Sequence, residues 1–155
     1  MKNRALIATY EGLLVAAEQY VAEKHPQVES PESAAGLLRP LAKGATQESF
    51  WVLLLNAKHH VTKIHLVTLG LADRSQVHAR EVFRQAIVGN AHSVILAHNR
   101  PSGDPTPSAQ DIGATRSLIE AGKIIGIEAL GHVVLGCRTP ERPKDWLSFR
   151  EENLL

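Results

Sequence analysis

The chain lacks what would cross-link it, thread it through a bilayer or give it a strongly charged surface. Its single cysteine, Cys137, excludes an internal disulfide and a cysteine-built zinc site. Neither sign of charge is in excess: 17 Lys and Arg face 16 Asp and Glu, a formal net charge of +1. That balance gives no electrostatic ground for binding nucleic acid over the whole surface, so direct DNA binding is not expected. No apolar run approaches bilayer-spanning length, and no signal-peptide pattern opens the chain. With the free thiol, these absences set the expectation of a cytoplasmic protein without a membrane partner. Internal repeats and low-complexity segments are missing, and the eight histidines are scattered, so no His-rich tract explains them. What remains is 155 residues, 44% hydrophobic, enough for one globular domain with a real core and too few for two.

Residues 3–24 carry Leu6, Tyr10, Leu13, Leu14, Ala17, Tyr20 and Val21 at helical spacing, an amphipathic helix ended by His25-Pro26. Ser30-Pro31-Glu32 starts a second helix, expected to be short because Pro40 and Gly44 follow. Residues 48–56 are almost continuously apolar and read as a central strand. A turn over 56–60 leads to an alternating strand, 61–69, paired antiparallel with it, and Gly70 begins a loop to about Gln76. Residues 80–88 are helical, with Val82, Phe83, Ala86 and Ile87 on one face and Gly89-Asn90 as the stop. A buried strand at 93–98, a helix at 109–124, a strand at 127–135 containing His132, and a short strand at 146–149 complete the pattern. Helices alternate with strands and one hairpin is antiparallel, so the sheet is mixed in an α/β fold.

The informative stretch is His98-Asn99-Arg100-Pro101-Ser102-Gly103-Asp104-Pro105-Thr106-Pro107-Ser108-Ala109-Gln110-Asp111. Three prolines and a glycine forbid regular structure between the strand end and Ser108-x-x-Asp111, a helix-start signal. The order strand, rigid polar loop, helix N-terminus lets a strand-end histidine converge with a Ser/Asp pair. Each residue also has a plain structural role. Ser108 and Asp111 make a capping box, and one carboxylate oxygen for each task would reconcile capping with ligation. Glu48 would be a solvated edge residue, His98 a hydrogen-bonded structural histidine and His132 a satisfied core histidine. His59, His60 and His65 look like surface residues, and Cys137 a bystander.

This stretch resembles the JAMM signature of MPN-domain metallohydrolases, and most closely the RadC family's version, His-Asn-His-Pro-Ser-Gly-Asp-Pro-x-Pro-Ser-x-x-Asp. Further similarities follow in order: Glu48-x-Phe50, Val77-His78-x-Arg80-Glu81-Val82-Phe83, Gly131-His132-Val133-Val134-Leu135-Gly136 and Ser148-Phe149-Arg150-Glu151. The resemblance divides the chain into an N-terminal helix, residues 1–27, and a RadC-like MPN domain, residues 28–155. It implies a single three-layer α/β/α domain, MPN- or cytidine-deaminase-like. It also implies a Zn²⁺ held by His98, Asp111 and a second histidine, with water as fourth ligand. Glu48 would take the proton of that water, and Ser108 would steady the oxyanion. The implied activity is that of a zinc metallopeptidase or isopeptidase on a peptide or protein conjugate.

The second histidine is replaced by Arg100. Arginine stays protonated and offers no lone pair to a metal. The expectation is that tight zinc binding is lost and that the guanidinium pairs with Asp111 or Glu48. Three functions remain open from the sequence. One is a JAMM-type hydrolase, impaired by Arg100. Another is a non-catalytic MPN domain serving as a binding or scaffolding module. A third is a DNA-repair-associated accessory protein, against which the neutral charge and the lack of a segment like the helix-hairpin-helix region of long RadC proteins both count.

Overall fold

The computed structural model describes residues 2–70 and 77–155, with side chains from Tyr10 onward and Leu69 excepted. The loop expected up to Gln76 lies outside the described residues. The element order is α1 (Lys2–Lys24), α2 (Pro31–Ala42), β1 (Ser49–Leu55), β2 (Val61–Leu69), α3 (Ala79–Val88), β3 (Ser93–Asn99), α4 (Ala109–Ile125), β4 (Glu128–Leu135) and β5 (Trp146–Ser148).

The five strands form one mixed sheet in the order β2-β1-β3-β4-β5. β1 pairs antiparallel with both β2 and β3, β3 runs parallel to β4, and β5 closes the edge antiparallel to β4. Every residue of β1 and β3 is buried, as their unbroken apolar runs require of strands covered on both faces. The two-residue period sorts their side chains into two cores. Trp51, Leu53, Leu55, Ile95 and Ala97 meet Val21 of α1 and Ala34, Ala35 and Leu38 of α2. Phe50, Val52, Leu54, Val94 and Leu96 meet Val82, Phe83 and Ala86 of α3 and Leu118 of α4. The result is the expected three-layer α/β/α domain.

Two helices depart from the sequence reading. α2 runs through Pro40 and ends at Ala42. Pro40 and Gly36, the residue whose carbonyl the missing N–H would have met, are both exposed, so water can satisfy that oxygen. On α1, Tyr10, Leu14, Ala17 and Val21 face the core, whereas Leu13 and Tyr20 are 37% and 50% exposed. From Tyr10 onward the buried stripe is narrower than the apolar periodicity suggested, because α1 packs over only one edge of the sheet, beside β2 and α2. The Tyr10 hydroxyl anchors it, accepting from the Trp51 indole at 3.1 Å and reaching the Ser49 hydroxyl at 3.3 Å. No helix among the described residues is long and apolar enough to cross a membrane.

β3 is the middle strand, so its carboxyl end is flanked by the start of β1 and the end of β4. Its residues 94, 96 and 98 share the α3/α4 face, and Arg100 continues that row beyond the strand. The proline loop folds back at once. Arg100 N–H donates to the Leu135 carbonyl at 2.8 Å, Gly103 N–H to the Arg100 carbonyl at 2.9 Å, and Cys137 N–H to the Gly103 carbonyl at 2.7 Å. Gly103 has φ +95°, a left-handed conformation that favours glycine. Gly136 lies so close to the loop that a Cβ there would strike the Gly103 carbonyl and come within 2.9 Å of Pro105 Cδ.

Candidate functional site

β3 delivers a completely buried His98 to the α4 N-terminus, where Asp111 is 2% exposed. His98 Nε2 stands 3.7 Å from Asp111 Oδ2. From β3's row the Arg100 side chain reaches the same carboxylate. Its Nη2 donates to Asp111 Oδ2, and its Nη1 donates to Glu48 Oε1 at 3.3 Å. The Arg100 side chain is 22% exposed and the Glu48 side chain 18%. The strand-end histidine, the helix-start acid and the glutamate before β1 therefore meet in one place, with the arginine between the two acids. This is the pairing expected of Arg100, made to both candidate carboxylates.

Capping and ion pairing converge on one atom. Ser108 Oγ accepts from Asp111 N–H at 3.0 Å, and Ser108 N–H donates to Asp111 Oδ2 at 2.9 Å, a complete capping box. The sequence reading gave each task its own carboxylate oxygen. Instead Oδ2 takes the cap, faces His98 and binds the guanidinium, because the first helical turn aims that one oxygen at the strand end. Ser108 itself is exposed and its hydroxyl is used as the cap.

Glu48 is not the solvated edge residue that a strand start suggests, because Asn99 braces the segment that carries it. Asn99 Oδ1 accepts from Ser49 N–H at 2.6 Å and Asn99 Nδ2 donates to the Gln47 carbonyl at 3.0 Å. The two backbone groups flanking Glu48 are thereby tied to β3. Behind His98 lies a second imidazole. His98 Nδ1 and His132 Nε2 are 2.6 Å apart, and His132 Nδ1 is 2.7 Å from Thr115 Oγ1. Phe50 stacks on His98 at 6.3 Å between centroids, and Phe149 stacks on His132 at 4.5 Å. His132 is thus the satisfied core histidine its strand suggested. The brace and the imidazole pair escaped the sequence reading. Two signals were present: residue 99 sits one place beyond His98 on the opposite face, and Thr115 follows Asp111 by four, on the same helix face.

The rim is ordered by charge. Thr106 donates to Asp104 Oδ1 from its hydroxyl at 2.7 Å and its N–H at 3.0 Å, which holds the Asp104 carboxyl below the usual carboxylate range. Arg142 donates to the Gly103 carbonyl at 3.0 Å and the Cys137 carbonyl at 3.2 Å, and lies 3.3 Å from Asp104 Oδ1. Other histidines stay apart from this place. His65 is half-buried on β2 rather than on the surface, and desolvation, then Lys63, lowers its pKa.

The residues present do not fit the zinc centre that the signature implies. A catalytic zinc takes three protein donors and a water. Here one imidazole nitrogen and the Asp111 carboxylate stand at ligand positions, and a cation without a lone pair, paired also with Glu48, fills the third. Among the described residues, no group of three or more His, Cys, Asp or Glu side chains is arranged to hold a metal ion.

Sheet order, layers and the convergence of Glu48, His98 and Asp111 define the class as an MPN/JAB-type α/β/α domain. Residues 28–154 match the model of the RadC family, described as a RadC-like JAB domain, and the chain belongs to that family. Similar proteins include a UPF0758 protein of Desulforudis audaxviator, 46% identical over 74% of this chain and 50% of its own length. UPF0758 protein STH371 of Symbiobacterium thermophilum is 47% identical over 81% and 51%, and UPF0758 protein YsxA of Bacillus subtilis is 44% identical over 86% and 55%. The chain spans about half the length of the curated relatives it matches.

Proposed function

We propose that this chain is a non-hydrolytic RadC-type MPN domain. In this reading the catalytic centre of the class has become an internal ion-pair cluster, and the domain serves as a binding or scaffolding module for a peptide or protein. The observation that carries the reading is the double engagement of Arg100, with Nη1 on Glu48 and Nη2 on Asp111. The guanidinium holds the two carboxylates that would otherwise serve a metal and its water, and its permanent charge repels a divalent cation from that place.

One observation favours a second reading, the zinc amide hydrolase. Glu48, His98, Ser108 and Asp111 are all retained around the centre, and Arg100 keeps some access to solvent. Metal analysis separates the two. The wild-type chain, purified and dialysed against micromolar zinc, is expected to hold far less than one zinc per chain. Arg100→His, which restores an imidazole two residues after His98, is expected to approach one. About one zinc per wild-type chain, lost in Asp111→Asn and accompanied by peptide-bond hydrolysis, would overturn the non-hydrolytic reading.

A further inference from the structure

Resting on the reading of a metal-free ionic centre, we propose that Thr115 and His132 are positioning residues. They fix the tautomer of His98 so that its Nε2 turns a hydrogen, not a lone pair, towards Asp111. All four groups are buried, at 0% exposure for His98, 1% for His132, 1% for Thr115 and 2% for Asp111, so the hydrogens must be accounted for inside the protein. Among the described residues the Thr115 hydroxyl makes one hydrogen bond, to His132 Nδ1 at 2.7 Å. A buried hydroxyl with one partner gives its hydrogen to it, since accepting instead would strand an O–H donor.

His132 Nδ1 is then an acceptor and its ring hydrogen sits on Nε2. That hydrogen is donated to His98 Nδ1 at 2.6 Å. His98 in turn carries its hydrogen on Nε2, the atom facing Asp111 Oδ2 at 3.7 Å. The direction therefore runs from Thr115 through His132 to His98, whose Nε2–H then points towards Asp111 Oδ2 across 3.7 Å, beyond hydrogen-bond distance. Phe149 and Phe50, stacked at 14° and 4° on the two imidazoles, oppose the ring flips that would scramble it. A metal at this centre would need the reverse direction: a lone pair on His98 Nε2, hydrogens on both Nδ1 atoms, and Thr115 as acceptor.

The test is a long-range ¹H–¹⁵N spectrum of the imidazoles in the full chain at neutral pH, with zinc content measured on the same sample. His98 and His132 are both expected as Nε2–H tautomers. In Thr115→Val the Nδ1–H form of His132 is expected to become populated, and Thr115→Ser is expected to restore the wild-type spectrum. His98 as an Nδ1–H tautomer in a zinc-free sample overturns the relay while leaving the ion-pair reading standing. Stoichiometric zinc in the wild-type sample overturns the ion-pair reading itself. An unchanged spectrum in Thr115→Val removes Thr115 from its assigned role.

Discussion

Replacing Arg100 with methionine isolates the energy of the ionic centre. The substitution keeps an unbranched side chain and removes the guanidinium. It leaves Asp111, 2% exposed, and Glu48, 18% exposed, facing the same space without their shared cation. Removing one partner of a fully buried ion pair costs about 3–5 kcal/mol. Arg100 is 22% exposed, so water relieves part of that cost, and about 2–4 kcal/mol is the expected loss. For a chain of this length each kcal/mol moves the melting temperature by roughly 2–4 °C, so a drop of about 5–15 °C should appear. Urea unfolding at pH 7 followed by circular dichroism, with chelator present, measures it. The triple variant Arg100→Met, Glu48→Gln, Asp111→Asn should recover most of the loss, because two neutral side chains need no cation between them, and the asparagine can still accept from Ser108 N–H. A single-variant loss below about 0.5 kcal/mol, the range of an exposed pair, would refute the argument. So would a triple variant no more stable than the single one.

Three further outcomes follow from the same structure. Asn99→Ala should cost about 2 kcal/mol in urea unfolding, since it leaves the buried Ser49 N–H and the Gln47 carbonyl without their brace; a loss under about 0.5 kcal/mol contradicts that role. Gly136→Ala should cost about 1–3 kcal/mol, because the added methyl meets the Gly103 carbonyl and Pro105; an unchanged melting temperature refutes the close approach. The Asp145 carboxyl is held below the usual range chiefly by its hydrogen bonds from Arg39, at 2.6 and 2.9 Å, which tie α2 to the start of β5. A depressed folded-state pKa stabilises above the unfolded value, near 3.9, and the benefit disappears as pH falls through the folded value. Asp145→Asn should therefore be less stable than wild type at pH 6, with the gap closing below about pH 4; a gap independent of pH refutes the assignment.

The strand, loop and helix of the signature were legible because their signals are local. Three prolines and a glycine stop regular structure from 101 to 107, and Ser108-x-x-Asp111 announces a helix start. The two-residue period puts His98 and Arg100 on one face. The hairpin of β1 and β2 was legible from alternation. Pro40 misled because a proline in the last turn of an exposed helix face removes a bond that water replaces. Leu13 and Tyr20 misled because periodicity reports which residues can be buried, not how wide the covering surface is. Asn99 and Thr115 had only their face positions as cues, and a face position does not name a partner. Their partners lie 50 and 17 residues away and meet them only once β1 pairs with β3 and α4 packs on β4.

Why an arginine fits this centre follows from charge and direction together. The fold brings two carboxylates to one point, Asp111 because a helix starts there and Glu48 because Asn99 fixes the strand beside it. Neither position is free to move without losing a cap or a brace, so the cation must come to them. Arginine at position 100 starts on the correct side of β3, and its planar fork presents two donors at the spacing two acids require. A lysine there would offer one compact charge to two separated oxygens. Arg100→Lys should therefore retain the charge yet lose part of the stability. A Lys variant as stable as wild type would mean that net charge alone, without the fork, holds the centre.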